Sequence, residues 1–514
     1  MITDARNSSQ VAARIETHTL ILGGGTVGLF LGVLLSRSKI PVLVIESGGR
    51  VPQTDRNNEI GTSIGKVHSG VQLGRTFGLG GTSTLWGGQL AEFDSSDLTM
   101  PGREWPITHT ELTQLYQSVY EMFDMAPLPV QEYRALFGGE TIEDECIERF
   151  FTHWLRQPNF AALFKSDISA NTNLSIILNL TATEVLFDSY TARSVVALSS
   201  DGRKVEIAAK NIVAACGTIE NSRFFLSTQR QERIPWSRNN NIGCYFQDHL
   251  GGKVASVEIH NEQKLREYFE NCFAHSHKLQ PKLRLTNKGR MRTGIGMSGA
   301  LSFDSELTSS FQNLKSLVKA VRSGVSYSTY QSLPSDLRRL GFALFPIMLR
   351  YLRDRRVLAF YDKSIEFYVQ AEQKPLPDSR IRLESQERQR DGLFKALLDW
   401  RISGDEIAAI REFSMLADGY LDRRGIGRLR IFDEILNNDL SALNRLEDTY
   451  HQCGGLCMSV SPSLGVVDTD CRVWNTRNVF VAGASVFPTS SHANCTLTAL
   501  ALTFRLASKL SNTK

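Results

Sequence analysis

Three glycines and a later acid are the residues of this chain whose spacing speaks most directly of chemistry. In Gly23-Gly24-Gly25-Thr26-Val27-Gly28, Gly23 permits a tight turn, Gly25 lets backbone amides approach a pyrophosphate, and Gly28 lets a helix pack close to a strand. Thr26 opens that helix, so its N-terminus faces the phosphate charge. Glu46 stands about 20 residues beyond the glycines, where a carboxylate accepts hydrogen bonds from a ribose diol. The chemistry this pattern serves is that of a bound dinucleotide.

Two further clusters have chemical potential. Gly74-Arg75-Thr76-Phe77-Gly78-Leu79-Gly80-Gly81-Thr82-Ser83-Thr84-Leu85-Trp86-Gly87-Gly88 joins many glycines to Trp86, Phe77 and Leu79. That composition suits backbone pressed against a flat ligand better than a mobile surface loop. His451, Cys453, Cys457 and Cys471 could be written as a zinc site, but they lack the two-plus-two ligand spacing, and no metal is expected.

The elements that must position these residues are readable from pattern. A strand at Leu20 to Leu22 leads into the glycines, an apolar helix runs from Leu29 to Leu35, and a second strand, Pro41 to Ile45, ends at Glu46. From Trp105-Pro106 to about Phe164 the spacing of Leu112, Leu115, Tyr116 and Val119 predicts helix. Short strands are expected at 175–178, 182–187, 194–198 and 204–208, with Asp201-Gly202 as a hairpin turn. A strand at 212–215 then returns to the parallel sheet and delivers Cys216-Gly217-Thr218 to a helix. Residues 253 to 448 mix strands, such as 364–371, with basic amphipathic helices and carry no second nucleotide motif. A last strand, 478–482, precedes Gly483, a loop and a helix from Thr496 onward.

Composition sets the class. At 514 residues, with 42% hydrophobic and 22% charged side chains, the chain is an ordinary globular protein with room for more than one folding unit. A net charge of +4 implies no strong attraction to nucleic acid. Eight scattered cysteines suggest reduced thiols, and the polar stretch Met1 to Thr17 lacks the apolar core of a secretory signal, so a cytoplasmic location is expected. Leu340 to Leu349 is apolar, contains Pro346, and is flanked by Arg338, Arg339, Arg350, Arg353, Arg355 and Arg356. Too short to span a bilayer, it reads as a lid or core helix with a basic rim, or as an interfacial helix giving peripheral membrane contact through 338–356.

Taken together, the separated blocks resemble the glucose-methanol-choline oxidoreductases, specifically the bacterial branch that acts on sugars and polyols. The N-terminal unit with Glu46 and the Gly80-Gly81-Thr82-Ser83 run carry the first part of that resemblance. A long C-terminal signature carries the rest: His451, Gly454-Gly455, Met458, Gly465-Val466-Val467-Asp468, Arg472-Val473, Asn478 to Val481, Ser485-Val486-Phe487-Pro488-Thr489, Asn494 and Thr496-Leu497-Thr498. Smaller matches include Trp105-Pro106-Ile107, Cys216 to Arg223, Asp248-His249, and Glu372-Gln373 with Pro377 and Arg380, while 260–360 hardly matches.

The resemblance implies an α/β fold: a Rossmann-like FAD-binding domain of glutathione-reductase type (1–104, 172–252 and 449–514) and an α+β substrate or cap domain built on an antiparallel sheet (105–171 and 253–448). It implies oxidation of a CH–OH group of a sugar, glycoside, polyol or sugar-containing natural product, with hydride passing to flavin N5. His451 takes the position of the catalytic base and Asn494 that of its partner; imidazole can hold and return a proton, and an amide can donate to the alcohol oxygen. His492 competes with His451 as base, and His249 reads as structural. The implied cofactor contacts are Gly23, Gly25, Thr26, Gly28, Glu46, Arg75, Gly81, Thr82, Ser83, Trp86, Val185, Gly217, Gly483, Ala484, Asn494 and Thr496.

Three positions depart from the family pattern. Cys495 replaces a proline, which implies a less rigid loop, and Gly483 replaces an acid. Leu85 occupies the place where some members carry a flavin-bonded histidine, so FAD is expected to be non-covalent. The electron acceptor could be oxygen, a quinone or a redox protein. Rival readings are a flavin monooxygenase or reductase, and a non-catalytic protein that keeps the flavin fold.

Overall fold

The computed structural model describes residues 1–7, 11–125, 144–274, 277–311, 313–314 and 333–512. Parts of the stretch expected to be helical up to Phe164, and of the expected cap segment, lie at 126–143 and 315–332, outside the described residues.

The first sheet grows from the dinucleotide unit. Strand Arg14–Leu22 is buried at its C-terminal half, where Leu20, Ile21 and Leu22 point into the core. It is flanked in parallel by Val42–Glu46 and Lys204–Ala214. Leu174–Leu178 and then Ile2–Asp4 extend one side in parallel, and Val479–Val481 pairs in parallel with the end of 204–214. On the other side Thr191–Ser199 and Leu180–Asp188 add antiparallel strands. The strands expected at 204–208 and 212–215 are thus one strand: its first half completes the antiparallel hairpin and its second half continues the parallel layer. Helix Thr26–Arg37 covers this sheet, with helix Cys495–Asn512 in the same apolar cluster. Helix His109–Met122 is fixed to the latter through Tyr116 Oη and Thr498 Oγ1 at 2.6 Å.

The second sheet is antiparallel throughout, in the order 427–431, 250–259, 364–371, 297–304, 277–285, 147–154 and 89–90. Ile147–Trp154 corrects the helical expectation for this stretch: it is a strand paired with His277–Leu285. Both its faces are largely covered, so no clean polar alternation shows, and Ile147, Phe150 and Phe151 mimic helical spacing. One face of the sheet packs on helix Asp405–Arg423, where the Phe367 and Phe413 rings lie 5.8 Å apart. The opposite face bears on the loop that precedes the C-terminal helix. A third sheet is small and separate: Gly61–Gly65 pairs in parallel with Phe394–Trp400, which pairs antiparallel with Arg380–Arg388.

Candidate active site

Where the glycine loop leaves the first strand, a cavity of about 640 Å³ opens, a size usual for cofactor sites. Two glycines set its floor. Gly23 has φ +102°, and a Cβ there would meet the Ala215 carbonyl at 2.7 Å; a Cβ on Gly28 would lie 1.9 Å from the Gly23 carbonyl. Gly28 therefore brings the helix onto the loop without itself lining the cavity.

Three helices begin at the wall, at Thr26, Thr218 and Cys495. Their first amides have no partner within the helix, and their dipoles favour negative charge. Leu180, Ala182, Phe224 and Leu393 supply apolar wall. A long cleft with electropositive helix ends and apolar patches fits a dinucleotide carrying two flat ring systems.

Of the sequence-derived cofactor residues, Gly23, Gly25, Thr26, Glu46, Arg75, Gly81, Thr82, Ser83, Trp86, Gly217, Gly483, Ala484 and Thr496 line this cavity. Val185 does not: it is buried within its hairpin, and its amide donates to Gln231 at 3.3 Å. Several lining side chains are also committed to the protein. Arg75 pairs with Glu220 at 2.6 Å and donates to the Val71 carbonyl, Ser83 Oγ donates to the Gly80 carbonyl at 2.5 Å, and Trp86 Nε1 donates to the Pro158 carbonyl at 2.8 Å. Leu85 turns its half-exposed side chain toward the same space.

Glu46 does more than face a ribose. Its Oε2 accepts from the Gly24 amide at 2.8 Å, and its Oε1 accepts from Gly48 at 2.8 Å and Gly78 at 3.0 Å. One carboxylate thereby ties the dinucleotide loop to the second glycine-rich block, a link reinforced by the Gly80 amide donating to the Gly24 carbonyl at 2.9 Å. Burial raises its pKa, and the three amides oppose that rise.

His451 reaches the cavity from a segment anchored by Asp248. The buried Asp248 carboxylate accepts from the backbone amides of His249 at 2.8 Å and His451 at 2.9 Å, and from the His68 ring at 3.0 Å. On the His451 ring, Nε2 lies 2.7 Å from Asn494 Nδ2, which can only donate, so Nε2 is the acceptor. Nδ1 then carries the proton and donates to Thr449 Oγ1 at 2.7 Å. Burial, together with the neighbouring His249, pushes the His451 pKa down to about 3, with Asp248 opposing, and the ring is neutral at physiological pH. The chain thus brings His451 and Asn494 together with the Nε2 lone pair accepting from the amide, although Asn494 is not itself on the cavity wall.

His492 lies elsewhere. Its ring is buried behind the loop, 3.8 Å from Asp97 and edge-on to Phe150, and does not line the cavity. His249 packs its ring 4.9 Å from that of His451. Cys495, expected to loosen the loop, starts the helix directly, and burial pushes its thiol up to about 12. The loop before it is held by Trp105 Nε1 to Thr489 Oγ1 at 2.6 Å, Gln247 Nε2 to the Pro488 carbonyl at 3.3 Å, and Gln370 Nε2 to the His492 carbonyl at 2.8 Å. Sequence reasoning missed Thr449. It stands two residues before His451, and the left-handed turn at Tyr450 (φ +64°) between them brings its hydroxyl to the ring, which no local sequence pattern announces.

Residues 375–503 match the family model described as GMC oxidoreductase. No curated protein matches the chain in sequence. Among solved structures, pyridoxine 4-oxidase from Mesorbium loti superposes with a TM-score of 0.59 at 16% identity, covering 96% of this chain and 99% of that one. A formate oxidase variant from Aspergillus oryzae RIB40 gives 0.57 at 13% identity, over 96% and 98%. An FAD-dependent oxidoreductase from Chaetomium thermophilum gives 0.58 at 14%, also over 96% and 98%. The fold is that of these proteins, and the C-terminal segment carries the GMC oxidoreductase pattern on it. The chain is an FAD-dependent oxidoreductase of the kind that acts on alcohol groups.

Proposed function

We propose that this enzyme oxidises a hydroxyl of a sugar, glycoside, polyol or sugar-containing natural product to a carbonyl, with His451 as base and Asn494 as the amide that positions the hydroxyl. The observation that carries the reading is the neutral His451 ring beside the cavity, with Nδ1 tied to Thr449 and Nε2 accepting from Asn494. Bound FAD supplies the acceptor for the hydride. The residues proposed to hold it are those named above, with Glu46 and the three helix ends at the charged parts, and Leu85 is consistent with non-covalent binding.

An incoming hydroxyl takes the place of the Asn494 amide at Nε2 and hands its proton there. The freed amide then donates to the substrate oxygen, fixing the carbon for oxidation. The Thr449 hydroxyl donates to Asp248 at 3.4 Å and so accepts from Nδ1, which holds the imidazole in the tautomer this requires, while Asp248 anchors the His451 backbone amide. The segments 1–104, 172–252 and 449–514 act in this reading as the cofactor domain, and 105–171 with 253–448 as the cap.

Oxygen is the favoured acceptor, since two of the similar folds are named as oxidases, and a quinone is the alternative. For a quinone, helix Leu333–Asp354 offers contact with an anionic membrane surface. Phe342 is 73% and Phe345 66% exposed, alongside Leu337, Leu344, Met348, Leu349 and Leu352. Arg338 and Arg355 lie over Phe342 and Tyr351 with no carboxylate partner among the described residues. A basic helix with one wide apolar face is built to lie in a lipid interface.

The test is anaerobic mixing of the FAD-loaded protein with a panel of sugars and polyols while flavin absorbance is followed. Bleaching by at least one hydroxyl compound is expected. Bleaching by NADPH alone would instead support the monooxygenase or reductase reading.

A further inference from the structure

The sheet face above the catalytic loop holds one cation that the protein leaves unanswered. Along strand His277–Leu285, Leu279, Leu283 and Leu285 are buried on one face, and Gln280, Lys282 and Arg284 occupy the other. That second face bears on the loop. Phe150, directly opposite Lys282 across the strand pair, sets its ring 6.0 Å from that of His492. One row along, Arg284 pairs with Ser298 and Ser298 with Gln370, whose amide holds the His492 carbonyl.

The neighbouring cations are accounted for. Arg284 meets Glu148 at 2.7 Å and Asp94 at 2.9 Å, and Arg290 meets Asp97 and Glu372, the latter at 2.6 Å. The Lys282 side chain has no hydrogen bond or ion pair among the described residues. Burial alone pushes its pKa down to about 8, so it keeps its proton at neutral pH, and its charge reaches both His249 and His451. Lys282 is half-buried; an ammonium even partly drawn out of water without a counter-charge is costly, and a recognition role gives it a partner only when ligand is bound.

We propose that Lys282 is the substrate-recognition residue of this enzyme, and that its substrate carries a carboxylate or phosphate monoester, which pairs with Lys282 while the hydroxyl lies at His451 and Asn494. The proposal rests on the hydroxyl-oxidising reading above and narrows it from neutral sugars to sugar acids or sugar phosphates. The anionic group takes no part in the redox step; it sets which hydroxyl faces Nε2.

Two measurements on the FAD-loaded protein separate this proposal from the activity it rests on. Malonate and inorganic phosphate have no oxidisable hydroxyl, and their binding is read by calorimetry and by the shift in flavin absorbance. Wild type is expected to bind at least one of them, and Lys282→Met to bind it roughly 10- to 100-fold more weakly, the scale of one lost charge-assisted hydrogen bond. In the second measurement, anaerobic flavin reduction compares glucuronate and glucose 6-phosphate with glucose, the first two distinguishing a carboxylate from a phosphate. The anionic-to-neutral ratio of kcat/KM is expected to fall by roughly the same factor in Lys282→Met, and Lys282→Arg to recover part of it. Equal anion binding by wild type and Lys282→Met, no binding by wild type, or a wild-type preference for glucose over both anions overturns the proposal. Lys282-dependent anion binding with no flavin reduction by any hydroxyl compound would instead overturn the oxidation reading and leave the anion site standing.

Discussion

At the scale of single residues, the decisive property of His451 is that it stays unprotonated. An ordinary imidazole titrates near 6.5, whereas burial and His249 hold this one down at about 3. A base works in its unprotonated form, so lowering its pKa extends activity toward acid. The rate of flavin reduction at saturating substrate is accordingly expected to be flat from about pH 5 to pH 8; a loss with a midpoint near the ordinary imidazole value would show a solvated ring. His451 and Asn494 were legible in the sequence because they sit in a continuous C-terminal signature. Thr449 and Lys282 were not. Thr449 matters only once the left-handed turn at Tyr450 is known to fold its hydroxyl onto the His451 ring, and Lys282 looks like any surface lysine until the pairing of 277–285 with 147–154 fixes its face.

Between single residues and the whole chain, Glu46 shows how an element end serves two purposes. It closes strand Val42–Glu46 at the cavity and fastens two glycine-rich loops through three amides. Glu46→Gln replaces one acceptor oxygen with an NH₂ group, so at least one of those amides loses its partner inside the protein, at a cost of about 1–3 kcal/mol. Weaker FAD retention on desalting, together with a lower melting temperature of the apoprotein, is expected. A loss of FAD with unchanged apoprotein stability would mean that Glu46 serves the ribose alone. The local unit of strand, glycines, helix and acid was legible because all its determinants lie within about 25 residues. Strand 147–154 was not, because its partner stands more than a hundred residues away and its two covered faces erase the alternation.

For the molecule as a whole, the fold class followed from the family resemblance carried by motifs near both ends of the chain, while the order of the strands depends on long-range pairing that no local pattern encodes. The joining of 204–214 into one strand and the small sheet that links Gly61–Gly65 to 394–400 are both of this kind. Among the described residues no helix is long and apolar enough to cross a membrane; the membrane contact proposed above is one at the surface, through 333–354. The full-length protein is expected to co-sediment with vesicles containing phosphatidylglycerol more than with phosphatidylcholine alone, and Phe342→Glu with Phe345→Glu to abolish the difference. Undiminished binding by the double variant, or no vesicle binding by the wild type, would assign that face another purpose.

These scales meet in the claim that an imidazole from the C-terminal segment removes a proton from a hydroxyl beside a flavin held by the N-terminal segment. The direct measurement is the anaerobic rate of flavin reduction by the best hydroxyl substrate in the FAD-loaded wild type and in His451→Ala, with FAD occupancy checked in both. The account predicts that the variant keeps its FAD and reduces it roughly 100-fold or more slowly, the scale of a lost general base. Equal rates in the two proteins would contradict it.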